Sequence, residues 1–69
     1  MNKLYYTIEV EYENDYLTGN KEVSVYDIKN NKPILIVTLN LELTDNSKDR
    51  IIDELQFIGY AVDIELELL

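Results

Sequence analysis

Two runs of strict alternation between apolar and polar side chains, one near each end of the chain, most constrain how it folds. In residues 4–13 the even positions are apolar, and the last three odd positions are Glu9, Glu11 and Glu13. In residues 60–69 the predicted inward positions Val62, Ile64, Leu66 and Leu68 alternate with Asp63, Glu65 and Glu67. Because the side chains of a strand point alternately to its two faces, each run predicts a strand with one face toward a core.

Two further strands are predicted between these runs. The first covers residues 22–28, and the second covers residues 34–43 after Pro33, which opens a strand where its missing N–H is tolerated. The polar segment 14–21 predicts a hairpin whose loop is longer than the tightest type. Residues 29–32 predict a compact turn in which either asparagine adopts a left-handed conformation.

The third predicted strand is apolar on both faces in its first half. Ile34 and Ile36 point to one side. The positions on the other side are all apolar: Leu35, Val37, Leu39, Leu41 and Leu43. A stretch of this kind is either a covered central strand or an exposed patch that serves a contact.

A helix is predicted after the third strand. Residues 44–47 all favour N-cap positions, and Asp49 adds negative charge near the positive end of the helix dipole. One apolar stripe follows at helical spacing: Ile51, Ile52, Leu55 and Ile58. Gly59 ends the helix as a natural C′ residue. Phe57 lies off the stripe, and we expect it to be partly buried.

These elements predict an α+β protein with the order β-β-β-α-β. The 69 residues suffice for a single small domain over residues 1–69. The helix covers one face of a four-stranded mixed sheet, and the other face meets solvent or a partner. A right-handed crossover makes the fourth strand parallel to the third. The strand order 3-2-1-4 is favoured over 1-2-3-4 because it keeps the hairpins intact and lets the crossover span the sheet.

Composition excludes several classes of function. The chain has 14 acidic and 6 basic residues, a formal net charge of −8, and neither cysteine nor histidine. Without these two residue types, disulfides, thiolate and imidazole metal ligands and the usual nucleophilic triads are absent, so we expect no enzyme activity, cofactor or metal. The negative charge argues against direct binding of nucleic acid or an anionic membrane. The first residues lack the apolar segment of a secretory signal, so we expect a cytoplasmic protein.

Six carboxylates are expected on the exposed face of the first and last strands, with no basic residue among them. They are Glu9, Glu11, Glu13, Asp63, Glu65 and Glu67. If these strands are neighbours, the carboxylates lie about 5 Å apart across the ladder and repel one another. One interpretation is a solvated surface that keeps the protein soluble. The other is a surface that imitates phosphates, because side chains on one strand face recur every ~6.7 Å, close to the phosphate repeat of a nucleic acid strand.

Aromatic residues favour a contact surface beside these acids. Tyr5 and Tyr26 are expected on the same exposed face, and tyrosine is enriched at protein interfaces. The alternative role is to brace cross-strand neighbours. Ile34 and Ile36, next to Tyr26, form another candidate patch, through which two copies of the chain would dimerise.

In size, charge and arrangement, the chain resembles the very small acidic proteins with which phages and mobile elements block host nucleic-acid enzymes, such as anti-CRISPR proteins, anti-restriction proteins and uracil-DNA glycosylase inhibitors. The resemblance rests on no motif, so no functional residue is carried over from it. It implies an inhibitor whose acidic face binds the basic surface of a nucleic-acid-binding protein. The alternative hypothesis is a small interaction or assembly module, such as an immunity or accessory protein, that dimerises through an apolar sheet face.

Overall fold

Among the residues that the structure describes, four strands form one mixed sheet and one helix packs on one of its faces. The computed structural model describes residues 2–60 and 63–69. Its elements are β1 (Asn2–Glu13), β2 (Tyr16–Lys29), β3 (Lys32–Glu42), α1 (Ser47–Phe57) and β4 (Ile64–Leu68). The strand order is β3-β2-β1-β4, with β4 parallel to β1 and the other pairs antiparallel. The α+β class and the favoured strand order are therefore confirmed.

Both hairpins close through two-residue turns with left-handed backbone. Asn14 and Asp15 have φ values of 50° and 66°, and Asn30 and Asn31 have 53° and 62°. Two consecutive positive φ values characterise the turn type that matches the twist of paired strands. The prediction for the second turn is confirmed. The prediction of a longer first loop is wrong, because β2 begins at Tyr16 and includes most of the polar segment.

Helix α1 has well-formed caps at both ends. The Asn46 side-chain oxygen accepts the Asp49 N–H at 3.1 Å. At the other end, Gly59 has a φ of 72°, and the Tyr60 N–H donates to the Leu55 carbonyl at 2.9 Å, as in a Schellman motif. The predicted start and stop of the helix are thus confirmed. Phe57 is 86% exposed, so the expectation of partial burial is wrong.

The core lies between α1 and the sheet face that it covers. Its buried apolar members are Leu4, Tyr6, Val23, Val25, Leu41, Ile51 and Leu55. Lys21 is also buried on this side, between Val10 and Leu41. Its ammonium donates to the carbonyls of Leu43 at 3.2 Å and Asp45 at 2.6 Å. This lysine therefore ties the β2 strand to the segment that leads into α1.

An irregularity in β3 changes which of its side chains reach the core. Val25 pairs with Val37, but the next residue, Tyr26, pairs with Leu35, so Ile36 is an extra residue in β3. Ile36 packs against the core, whereas Leu35 is 55% exposed beside Tyr26. The predicted faces of these residues are therefore wrong. Because Ile34 pairs with Asp27, on the opposite face from Tyr26, the predicted patch of Ile34, Ile36 and Tyr26 does not form.

Strand β4 is shorter than predicted and pairs with only the first part of β1. It begins at Ile64 rather than at residue 60, and Tyr60 lies before it. The predicted inward position of Val62 lies outside the described residues. The pairing runs from Asn2 with Ile64 to Tyr6 with Leu68. Residues 8–13 of β1 therefore extend beyond β4, alongside β2 alone among the described strands.

The helical content also bears on membrane insertion. Within residues 2–60 and 63–69, no helix has the length and apolar character needed to cross a bilayer.

Candidate protein-binding surface

The sheet face that α1 leaves uncovered, here called the helix-free face, carries its side chains in rows across the strands. Cα pairing joins Leu35, Tyr26, Tyr5 and Glu67 into one row. The next row toward the Asn14–Asp15 turn contains only hydroxyl side chains: Thr38, Ser24 and Thr7. Ser24 and Thr38 are hydrogen-bonded to each other at 3.3 Å. This neutral row separates the aromatic side chains from the acids beyond it.

The part of the helix-free face beyond the neutral row is called the acidic zone. It holds five exposed carboxylates from three strands: Glu9, Glu11, Glu13, Glu22 and Glu42. Glu9 and Glu22 are direct cross-strand partners. Their Cβ atoms are therefore within about 5.5 Å of each other, a spacing at which like charges destabilise a sheet. Among the described residues, no ion pair reaches any of these five carboxylates.

Two open depressions run along the acidic zone. Glu9, Glu11, Glu22 and Asn40 contribute to one of them. The other is lined by Glu11 and Glu42, by Asn20 and Asn40, and by the ion pair of Asp45 and Arg50 at one side. In the part of the chain that is described, no group of three carboxylates is arranged to hold a metal ion. The zone therefore presents its charge outward over a surface and does not concentrate it on one point.

The predicted acids of β1 and β4 do not face each other. Glu9, Glu11 and Glu13 lie in the acidic zone, but Glu65 pairs with Lys3 and Glu67 pairs with Tyr5. The expectation of repelling carboxylates across this ladder is wrong, because β4 ends opposite Tyr6, before the β1 glutamates begin. Asp63 is exposed and precedes β4, and its carbonyl accepts the Asn2 N–H at 2.9 Å.

A base on the helix-free face neutralises part of the charge near β4. Lys3 Nζ lies 2.8 Å from Glu67 Oε2 and 5.7 Å from the centre of the Tyr5 ring. The hydrogen bond that Lys3 donates to Glu67 and the negative charge of Glu67 raise the pKa of Lys3 above its usual 10.5. The expectation that these two strands lack an exposed base is therefore wrong, because β1 begins at Asn2 and includes Lys3.

The two predicted tyrosine anchors do come together. Tyr5 and Tyr26 are direct cross-strand partners, and both are half-buried. Glu9 lies four residues from Tyr5 along β1, which is about 13 Å. A partner large enough to span that distance would contact the aromatic row and the acidic zone together.

Three other described bases are bound to other groups, although Arg50 lines the depression that contains Glu11 and Glu42. The buried ammonium of Lys21 binds carbonyls on the helix side. Arg50 pairs with Asp45 at 3.3 Å, and Lys29 lies 4.0 Å from Asp27. The zone is therefore not neutralised by the ion pairs that the described residues form.

Two members of the acidic zone, Glu22 and Glu42, were not predicted as site residues. The signal was present, since Glu22 alternates with buried Val23 and Glu42 follows buried Leu41. The position of Glu22 beside Glu9 and that of Glu42 beside Glu11 depend on the register of β2 with β1 and with β3. Periodicity gives the face of a residue but not its neighbour on the next strand.

Comparison with protein-family models, with curated proteins and with solved structures found no match to the chain.

Proposed function

We propose that this protein is an inhibitor that binds the basic surface of a nucleic-acid-binding protein through the acidic zone. The observation that carries the proposal is the grouping of Glu9, Glu11, Glu13, Glu22 and Glu42 on one exposed face, where none of them forms an ion pair with a described base. Such a grouping destabilises the sheet, and solubility does not require it because interspersed charges of both signs also keep a protein soluble. A role in binding explains why the acids are grouped.

Electrostatic complementarity supports this function physically. Carboxylates on one strand recur every ~6.7 Å, and the ladder adds neighbours on adjacent strands at about 5 Å. A groove that binds phosphates offers lysine and arginine at comparable intervals, and opposite charge accelerates encounter. The protein would act in the cytoplasm by occupying the groove in place of DNA or RNA, as in the anti-CRISPR, anti-restriction or repair-inhibitor type.

The test compares two variants with equal charge change. One carries Glu9→Gln, Glu11→Gln and Glu22→Gln in the acidic zone. The control carries Asp53→Asn, Glu54→Gln and Glu65→Gln outside it. Each variant and the parent would be used for affinity capture from a lysate of the source or host at low and high salt. Captured proteins would then be tested for displacement by duplex DNA and by RNA.

The proposal expects a basic nucleic-acid-binding protein to be captured by the parent and the control at low salt. The acidic-zone variant should lose it, and added nucleic acid should displace the parent. Equal loss in both variants, or capture that nucleic acid does not affect, would contradict the proposal.

A second candidate, an assembly module that self-associates, is favoured by the aromatic row of Leu35, Tyr26 and Tyr5. Leu35 exposes 55% of its surface there. Dimers formed through this row should persist at high salt and be lost in Leu35→Asp, whereas Ile36→Asp would damage the core instead. Sedimentation of the parent and Leu35→Asp at two salt concentrations separates this candidate from the first.

A further inference from the structure

The outer edge of β1 over residues 8–13, here called the free edge, has no partner strand among the described residues. The Asn2 N–H donates to Asp63 and the Tyr6 carbonyl accepts from Leu69, both at 2.9 Å, so even-numbered residues of β1 direct their backbone groups toward β4. By alternation, Ile8 and Val10 direct theirs the same way, beyond the end of β4. Their N–H and C=O groups form the hydrogen-bonding row of an uncovered strand.

The opposite edge of the sheet is better protected. On β3, Pro33 has no N–H, Ile36 is an extra residue that interrupts the ladder, and the Glu42 N–H is bound by the Asp45 carboxylate at 3.0 Å. These are devices by which natural sheets prevent an added strand. The free edge of β1 contains neither proline nor lysine over residues 8–13.

The two sides of the free edge differ in chemistry. Toward the helix side, Ile8 is 42% and Tyr12 is 64% exposed, and the end of β4 adds Leu68 at 57%. Toward the helix-free side lie Glu9, Glu11 and Glu13. A strand placed along this edge would therefore meet apolar side chains on one face and carboxylates on the other.

We propose that the free edge binds an extended segment of the partner in which basic and apolar residues alternate, so that the segment adds a strand to the sheet. This inference rests on the proposed function, because the acids that attract the basic surface also select the bases of the added strand. Ladder hydrogen bonds supply affinity, and the alternating side chains supply specificity. About six residues would pair, over roughly 20 Å.

Charge decides against a second copy of the chain as the occupant. An antiparallel copy of β1 would place its own glutamates on the same face as Glu9, Glu11 and Glu13. Like charges opposite one another destabilise the ladder, whereas lysine or arginine at those positions would stabilise it. The same acids that prevent self-pairing therefore favour a basic strand.

The probe is a nine-residue peptide of alternating lysine and valine, blocked at both ends. A second peptide alternates lysine and proline, which keeps the charge but removes the N–H of every second residue, the one that donates to β1 when the added strand is antiparallel and its lysines face the glutamates. Titration calorimetry with the parent should show binding of the lysine–valine peptide at least about tenfold tighter than that of the lysine–proline peptide. Backbone hydrogen exchange at Ile8 and Val10 should slow on binding, while the amides of Thr7 and Glu9 change little because they pair with β2.

Two variants test the backbone directly. Val10→Pro removes an outward N–H at a position where an edge strand tolerates proline, and it should reduce binding of the lysine–valine peptide to the level of the lysine–proline peptide. Val10→Thr keeps the N–H and should bind like the parent. The thermal unfolding of each variant shows whether the fold is intact, and the hydrogen-exchange result in the parent stands without either variant.

The outcomes separate this inference from the proposed function. Equal binding of both peptides, lost when the acidic zone is neutralised, would overturn strand addition and leave electrostatic docking in place. Binding of neither peptide would overturn strand addition too, and the capture experiment would then decide the proposed function alone. Tighter binding of an alternating glutamate–valine peptide would contradict the basic character of the partner segment.

Discussion

The two halves of β1 have the same alternating pattern but different surroundings. The first half, residues 2–6, pairs with β4 along its whole length and with β2 from Tyr5 onward, and its Leu4 belongs to the core under α1 and is 2% exposed. The second half, residues 8–13, has β2 alone as a described neighbour, and its Tyr12 is 64% exposed. The first half stabilises the fold. The second half is the edge of a three-stranded region over residues 8–10 and continues as a two-stranded hairpin beyond it, with an accessible edge throughout. A period of two predicts a strand but does not say whether its apolar face is covered.

The largest expected difference between the halves is in core packing. Leu55→Ala removes a fully buried side chain from the core that includes Leu4 and Tyr6 of the first half. It should lower the free energy of unfolding by about 2–5 kcal/mol, which is much of what so small a domain has. Ile8→Ala in the second half should lower it by less than about 1 kcal/mol, since Ile8 is 42% exposed. Urea unfolding of both variants measures the difference, and equal losses would show that the hairpin carries as much of the core as the first half.

Lys21 connects the hairpin to the helix, so its removal tests whether the halves are coupled. Lys21→Met keeps the aliphatic contacts but leaves the carbonyls of Leu43 and Asp45 without their ammonium donor. Hydrogen bonds from a charged group support an expected loss of about 2 kcal/mol in the free energy of unfolding. The matched control is Lys48→Met on the exposed surface of α1, which should change it by less than about 0.5 kcal/mol. Losses of similar size in both variants would indicate that net charge, rather than the loop anchor, is responsible.

The sequence predicted the helix caps, the core and the strand order better than it predicted the path of β3. The caps around Asn46 and Gly59, the core position of Leu55 and the strand order follow from local chemistry and from the handedness of the crossover. The path of β3 through Ile36 did not, because a bulge changes the face of every following residue without a marker in composition.

The acidic zone was predicted only in part, because the sequence pattern gives the face of a residue but not its neighbours on other strands. The exposure of Glu9, Glu11 and Glu13 follows from alternation, but their neighbours follow from register. β4 begins at Ile64, so its acids lie beside Lys3 and Tyr5, whereas Glu22 lies opposite Glu9. Strand length and register are set by turns and packing across the whole sheet, and a single run of residues does not contain them.

Charge neutralisation should give a smaller difference between the two halves, and here one variant should raise the free energy of unfolding instead of lowering it. Glu22→Gln relieves the repulsion with Glu9 and should raise the free energy of unfolding by a few tenths to about 1 kcal/mol at low salt. Glu65→Gln, on β4 beside the first half of β1, removes a negative charge from the residue opposite Lys3, whose ion pair is with Glu67, so it should not raise stability. In 1 M salt, where the screening length is about 3 Å, the difference should largely disappear. An equal rise in both variants would mean that the total negative charge matters and its placement does not.

The smallest expected effect is near the start of β1. There the hydroxyl of Tyr60, which follows α1, donates a hydrogen bond to Asp27 on β2 at 3.3 Å. Burial, the charge of Asp27 and this hydrogen bond raise the pKa of Tyr60 above 10.0 in the folded state. Above pH 10 the folded state therefore retains a proton that the unfolded state loses, so this contribution to stability is complete below pH 10 and is lost as the pH rises further.

Tyr60→Phe should accordingly weaken the alkaline decline in stability while changing little at neutral pH, because the ring is 41% exposed. Asp27→Asn should act in the same direction, since it removes the charge that disfavours the phenolate. Urea unfolding from about pH 8 to pH 11, with each variant compared to the parent, isolates this group from the other tyrosines and the lysines. If neither variant flattens the decline, the hydrogen bond between Tyr60 and Asp27 does not contribute to stability, and the end of α1 is held to the sheet by the core residues alone.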